Sequence, residues 1–372
     1  MNALEKLKER APDLEFELPD GAPAIKLGLI VTLYFKEGYT AESKKKVVEC
    51  FERFYEEFKS DLKWQAGEKY QKLTPERFNK QSKFLLETTP NEQYEWHISS
   101  AKNEKESRAY SLQAMNSFEI HGDKTLSYIK LTMPWSILSE PNGSARYQQW
   151  LVYLCNQVNA AHGYGGLSSS LPYDYDSYMP AEYQLAQNYM GLEVDTLAYW
   201  MGNRLQEHIK GVNWFTVLGN AYVDRLGGED AIRHSLSGRG DIDFFNYDYG
   251  LIIRAGQYPD LGAAEDGPPA AYVAVNKVVK PVRIPNPDSL HSYSPYGDCF
   301  DEESTARWYA RFDREHEDHI PSSIPAGQPC SREGYWYSPA KQSSRRHFRQ
   351  GEIMPELKDS SWGATIWYWS SV

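Results

Sequence analysis

Lys26-Leu-Gly-Leu-Ile-Val-Thr-Leu-Tyr-Phe35 is followed, after a turn at Gly38 and Tyr39, by a segment in which Val47, Val48, Phe51, Phe54, Tyr55 and Phe58 recur at helical spacing. The first stretch is apolar and rich in β-branched and aromatic residues, the composition of a buried strand. The second sets an apolar stripe against Lys and Glu, the pattern of an amphipathic helix lying on a sheet. Thr40 stands where its hydroxyl can cap the first turn. Outward from this pair, Tyr94–Ile98, Ala109–Met115 and Leu126–Met133 read as strands, the last ended by Pro134, which cannot donate to a ladder. Ser144 opens a helix with Tyr147, Trp150, Leu151, Leu154 and Val158 on one face. It is expected to stop at His162-Gly163, before a strand from Leu167 to Leu171. Ala181–Tyr189 reads as helical. Asn213–Leu226 reads as a second strong helix, with Gly227-Gly228 as its stop. Gly250–Ala255 and Ala271–Val279 read as strands, and Glu302–Phe312 as a short helix. Ala66–Asn91 is polar and takes no assignment.

These elements give an α+β class: mainly antiparallel sheets with helices packed on one face, in two similar halves, plus a small C-terminal β unit. The expected divisions are a domain over 1–315 with halves near 1–200 and 201–315, a Pro/Ser-rich linker over 316–328, and a β-rich module over 329–372. The module reads as three short strands. About 45 residues are marginal alone, so its aromatics are expected to pack on the main body.

The chain has 372 residues, 27 Tyr, 11 Trp and a formal charge of −11. Tyr and Trp join apolar area to a polar handle and serve both cores and interfaces. The negative charge argues against direct binding to nucleic acid and fits a basic partner. Four cysteines, none in a C-x-x-C pair, exclude a disulfide framework or a zinc site of that kind. The charged start does not read as a signal peptide, and no apolar run reaches the roughly 18 residues of a membrane helix. A cytoplasmic protein with no membrane association is expected.

The search for chemistry returns little. Asp174-x-Asp176 and Asp241-x-Asp243, the latter with Asp248, place carboxylates on one side of an extended chain, where a metal could be held. Neither pair has a third ligand at a diagnostic spacing. His316-Glu-Asp-His319 lacks the four-residue separation of H-E-x-x-H, and Ser168-Ser-Ser170 lacks a nucleophile elbow. Gly163, Gly165 and Gly166 lack the Lys of a phosphate loop. His162 is expected at a helix terminus, where the dipole favours it. Arg345-Arg346-His-Phe-Arg349 is the one basic cluster and reads as a salt-linked strand edge. No catalytic residue, metal or cofactor is expected, and the chain does not read as an enzyme.

His162-Gly-Tyr-Gly-Gly-Leu167, Ile209-Lys-Gly-Val-Asn-Trp-Phe215, Leu226-Gly-Gly228 and Tyr249-Gly-Leu-Ile-Ile-Arg-Ala-Gly256 together resemble one family: type VI secretion immunity proteins paired with VRR-NUC nuclease toxins. The resemblance covers roughly residues 25 to 312. It implies a cytoplasmic antidote that binds a cognate DNA-cleaving effector of the PD-(D/E)xK type and covers its active or DNA-binding surface. The expected partner surface is Tyr173, Asp174, Tyr175, Asp176 and Tyr178, with Asp241, Asp243 and Asp248, because interleaved Tyr and Asp supply rigid anchors plus charge. The other readings are a metal-dependent hydrolase using Asp241 and Asp243, and a secretion-system adaptor. The oligomeric state is open, with a monomer favoured.

Overall fold

Pro23–Phe35 forms a strand of 13 residues, nearly all of them buried, and the sheet is built outward from it. The computed structural model describes residues 2–17, 21–67, 69–313, 323–330, 333–338, 340–341, 344–357 and 365–369. The chain divides into two compact units, Met1–Glu315 and His316–Val372. The strands of the first are β1 (Phe16–Glu17), β2 (Pro23–Phe35), β3 (Trp64–Ala66), β4 (Gln71–Lys72), β5 (Glu95–Ser99), β6 (Ser111–Met115), β7 (Ser127–Pro134), β8 (His162–Ser170), β9 (Phe215–Gly219), β10 (Ile242–Tyr247) and β11 (Gly250–Ala255). They make one sheet in the order β10-β11-β9-β8-β2-β7-β6-β5-β3-β4, with β1 also on β2. Each of these strand pairings is antiparallel. The chain is thus α+β.

The helices are α1 (Ala3–Arg10), α2 (Ala41–Phe58), α3 (Pro75–Glu87), α4 (Gly143–Val158), α5 (Met179–Asn188), α6 (Ala198–Met201), α7 (Asn220–Arg225), α8 (Glu229–Ser235), α9 (Ala270–Val279) and α10 (Glu302–Tyr309). Thr40 caps α2 by accepting from the Ser43 N–H. Successive residues of a strand face opposite sides. Leu29, Val31, Leu33 and Phe35 of β2 therefore join α2 and α4 in the main core. Ile30 and Tyr34 point the other way, into a second core with Tyr128, Tyr164, Leu205 and Trp308. Both faces of β2 are covered, which is why its sequence is continuously apolar rather than alternating.

Several local expectations are overturned. Helix α4 ends at Val158, with Asn159 in the left-handed conformation at its cap. His162-Gly163 is not a helix stop but the start of β8, which pairs with β2 from Lys26↔Ser170 to Tyr34↔His162. Its glycines serve close approach. A Cβ on Gly163 would lie 2.3 Å from the Thr32 carbonyl oxygen, and one on Gly166 would lie 1.9 Å from Asn213 Oδ1. Asn213–Leu226 is not one helix. Phe215-Thr-Val-Leu-Gly219 is β9, inserted between β8 and β11, and only Asn220–Arg225 is helical. Gly227 and Gly228, both at positive φ, do close that helix. Ala271–Val279 is not a strand but lies in α9, buried at Ala271, Tyr272, Val273, Val275, Asn276 and Val279, among which Tyr272, Val275, Asn276 and Val279 recur at helical spacing. The unassigned stretch holds α3, with Thr74 accepting from the Arg77 N–H and Pro75 in the first turn.

His162 is fully buried and stacks on Tyr34 at 5.0 Å between centroids. Its Nε2–H donates to the Leu205 carbonyl at 2.8 Å, while Nδ1 has no partner. Burial pushes the ring down to about 4, against the pull of the Leu205 carbonyl. The unfolded value is about 6.5, so the folded chain holds this ring neutral. Its contribution is complete above about 6.5 and is lost as pH falls toward 4. His162→Gln is therefore expected to remove about 2 kcal/mol of the stability difference between pH 7 and pH 5. Urea unfolding followed by Trp fluorescence checks this; an identical pH slope in the variant refutes it.

The second unit is a four-stranded antiparallel sheet of β12 (Ser323–Pro325), β13 (Gly334–Tyr337), β14 (Arg346–Phe348) and β15 (Ile366–Trp369), in the order β12-β15-β13-β14. One more strand is present than expected, and β12 falls inside the expected linker. His316–His319 lies outside the described residues. The aromatics Trp336, Phe348 and Trp367 gather with Ile324, Cys330 and Met354 in a core of this unit's own. Arg345 lies over Tyr335 and Arg346 over Phe348, so two cations of the basic cluster sit on aromatic faces.

Candidate partner-binding surface and pocket

The second face of the sheet carries a buried ionic network. Asp195, 2% exposed, is its centre. Lys130 on β7 reaches its carboxylate at 2.7 Å and its carbonyl oxygen at 2.9 Å. Thr32 on β2 donates to it at 2.8 Å, and Tyr164 on β8 donates to its other oxygen. Lys210 lies 3.9 Å from Asp195 and 2.9 Å from Glu193, to which Asn213 also donates. Burial alone would raise the Asp195 carboxyl; Lys130 and Lys210 outweigh it and hold it below the ordinary carboxylate range. Glu182, also buried, behaves likewise beside His291 at 2.8 Å. These contacts tie the segment around 182–210 to strands β2, β7 and β8.

Beside the network opens a cavity of about 330 Å³, lined from β5, β6, β7 and the end of β8. Tyr128, Tyr173, Tyr175 and Tyr199 flank it, and Arg108, Lys130 and His97 stand among its polar groups. His97 is 2% exposed, with neither ring nitrogen hydrogen-bonded. Burial first, then the charges of Arg108 and Lys130, push its ring well below the usual histidine range, so it is neutral.

The expected loop forms the rim of this cavity. Tyr173 stacks on His97 at 5.7 Å and lies tilted against Tyr70 at 5.2 Å, and Tyr175 and Tyr178 are half-buried. Asp174 and Asp176 point outward, exposed. The alternation Tyr-Asp-Tyr-Asp thus puts rings inward and carboxylates outward. The sequence reading missed the neighbour of this loop. Ser294 donates to the Asp176 carbonyl, and the Gly297 backbone lies against Pro180. This second loop exposes Tyr293 at 89% and Tyr296 at 64%, with Asp298 beside them. The signal was present as Ser292-Tyr-Ser-Pro-Tyr-Gly-Asp298, the same mixture of Tyr, Pro and Asp as in the first loop. Trp200, 52% exposed, adjoins Tyr199 of the cavity wall. Among the described residues, Asp174, Asp176 and Asp298 have no ion-pair partner.

The structure does not bring the second expected cluster to this place. Asp241 and Asp243 lie on and beside the edge strand β10, and Asp248 follows it in the hairpin turn. Three strand spacings, about 14 Å, separate β10 from β8. Asp241 accepts both guanidinium arms of Arg239, at 2.9 and 2.6 Å. Asp243 pairs across the ladder with Arg254 at 2.6 Å. Both carboxylates are therefore neutralised by arginine rather than free for a cation. Among the described residues no group of three or more His, Cys, Asp or Glu side chains could hold a metal ion. Added Mn²⁺ is accordingly expected to leave the unfolding midpoint within about 1 °C of its value in chelator; a shift of several degrees would restore the metal reading. No helix among the described residues is long and apolar enough to cross a membrane.

Residues 46–312 match a family described as TsiV, type VI immunity for VRR-NUC. The fold is similar to that of a solved structure, the Pseudomonas aeruginosa T6SS protein PA0821, with a TM-score of 0.73 and 24% sequence identity over 85% of this chain and 91% of that one. A search of curated proteins gave no match.

Proposed function

Because the chain belongs to the TsiV family, type VI immunity for VRR-NUC, we propose that it binds a cognate VRR-NUC nuclease effector in the cytoplasm and inhibits it by covering the surface that DNA would occupy. The observation that carries this reading is the juxtaposition of two loops. One presents Asp174 and Asp176; the other presents Tyr293 and Tyr296 almost free of the protein body. Exposed Tyr beside carboxylates without ion-pair partners is what a hot spot for a basic surface requires. A nuclease must be basic where it holds phosphates, and a chain of net charge −11 is drawn to it. Such steering accelerates association toward roughly 10⁸–10⁹ M⁻¹s⁻¹ at low salt, an advantage when the antidote competes with the chromosome for an injected toxin. Inhibition is stoichiometric and requires no catalytic group.

Asp174→Lys/Asp176→Lys tests the charge component. The dissociation constant for the effector is expected to rise tenfold or more, mainly through slower association, and its salt dependence to flatten. An unchanged constant would remove the loop from the interface.

A further inference from the structure

We propose that the cavity behind the Tyr173–Tyr175 rim is a carboxylate-binding site anchored by the Arg108 guanidinium. Four polar atoms lining it are buried without a hydrogen-bond partner: Arg108 Nε, both ring nitrogens of His97, and Thr132 Oγ1. Buried polar groups are almost always satisfied, and several orphans converging on one cavity mark a place where a ligand completes them. They come from β5, β7 and the segment before β6, so no single local distortion accounts for them.

The charge balance selects the class of ligand. Lys130 is neutralised by Asp195 at 2.7 Å. Glu95 is engaged by Gln113 at 3.2 Å, and burial lifts its carboxyl above the usual range. Arg108 has no carboxylate partner among the described residues. One uncompensated guanidinium matches one planar, singly charged group, which it takes through two parallel N–H donors. Neutral His97 supplies one further donor, and Thr132 another. A phosphate dianion would want a second free cation or the N-terminus of a long helix; Lys130 is already paired, and the one helix start in the lining, Ala198, opens a helix of only 4 residues. At about 330 Å³ the cavity lies at the small end of the range for small-molecule sites, roughly 300–1,000 Å³. The tyrosines beside it suit an apolar body behind the carboxylate.

The carboxylate has two sources: a free small acid, or an Asp or Glu side chain offered by the effector, which rests on the function proposed above. The test separates them. Full-length protein is titrated calorimetrically with benzoate and acetate, and with benzamide and acetamide as neutral isosteres. The acids are expected to bind on the order of 10–100-fold more tightly than the amides, and Arg108→Gln to abolish that preference. Arg108→Lys, which keeps the charge and loses the fork, is expected to be intermediate and guards against a misfolded variant. Effector binding is then measured with and without benzoate. Competition, together with loss of effector affinity in Arg108→Gln, assigns the site to a side chain of the partner. Independence assigns it to a small acid. Acids that bind no better than amides, or a preference that survives in a folded Arg108→Gln, overturn the proposal, whatever the outcome with the effector.

Discussion

Asp195→Ala is expected to lower the unfolding free energy of the Met1–Glu315 unit by about 3–5 kcal/mol, the largest effect of any single substitution considered for this chain. The carboxylate is 2% exposed and is shared by Lys130, Thr32, Tyr164 and, at 3.9 Å, Lys210. Removing it leaves the Lys130 ammonium buried against neighbours that cannot neutralise it. Lys130→Met in the same chain is expected to recover part of the loss, because the stranded charge goes with it. The pH dependence has a definite sign. The folded carboxyl titrates below its unfolded value of about 3.9, so its contribution is present above that value and is lost as pH falls through the folded one. The gap between wild type and variant should accordingly narrow in acid. Denaturant unfolding at pH 7 and pH 3 measures it. A loss under about 1 kcal/mol at pH 7 would mean that the network is dispensable.

Tyr293→Ala/Tyr296→Ala is expected to weaken effector binding about 100-fold, or about 2.7 kcal/mol, while shifting stability by no more than about 0.5 kcal/mol. The two rings are 89% and 64% exposed, so little packing in the free protein depends on them. An aromatic ring left that open returns its apolar area only when something covers it. Surface plasmon resonance against the effector, paired with an unfolding curve, separates the two quantities. Affinity within twofold of wild type would place the interface elsewhere on the molecule. A collapse of stability would mean that the rings serve the fold.

The parts of the fold legible in the sequence are those where one pattern, an unbroken apolar run or a single period, continues without interruption. Lys26–Phe35 and Val47–Phe58 satisfy that condition, and β2 and α2 lie where expected. Asn213–Leu226 fails it. Phe215, Leu218, Tyr222 and Leu226 are spaced three and four apart across a junction at Gly219, so a strand and a short helix together mimic one long helix. In α9 the error runs the other way, since Val273, Val275, Val278 and Val279 carry strand propensity that packing overrides. Helix α3 was findable from Thr74-Pro75, a cap followed by a residue preorganised for the first turn, despite its polar surface. The rim of the cavity was legible as an alternation of Tyr and Asp. The cavity itself was not, because His97 on β5 and Lys130 on β7 meet Arg108 and Asp195, from segments outside the strands, only once the sheet is assembled. No spacing along the chain encodes that meeting.

Asp241 and Asp243 also bear on how the sheet ends. β10 is one of the two edge strands of the sheet, and an open ladder there would invite another chain to add itself and seed aggregation. Asp241 and Asp243, each locked to an arginine, would have to surrender water and geometry for such templating to proceed. The same two ion pairs that occupy these carboxylates therefore raise the cost of extending the ladder beyond this edge.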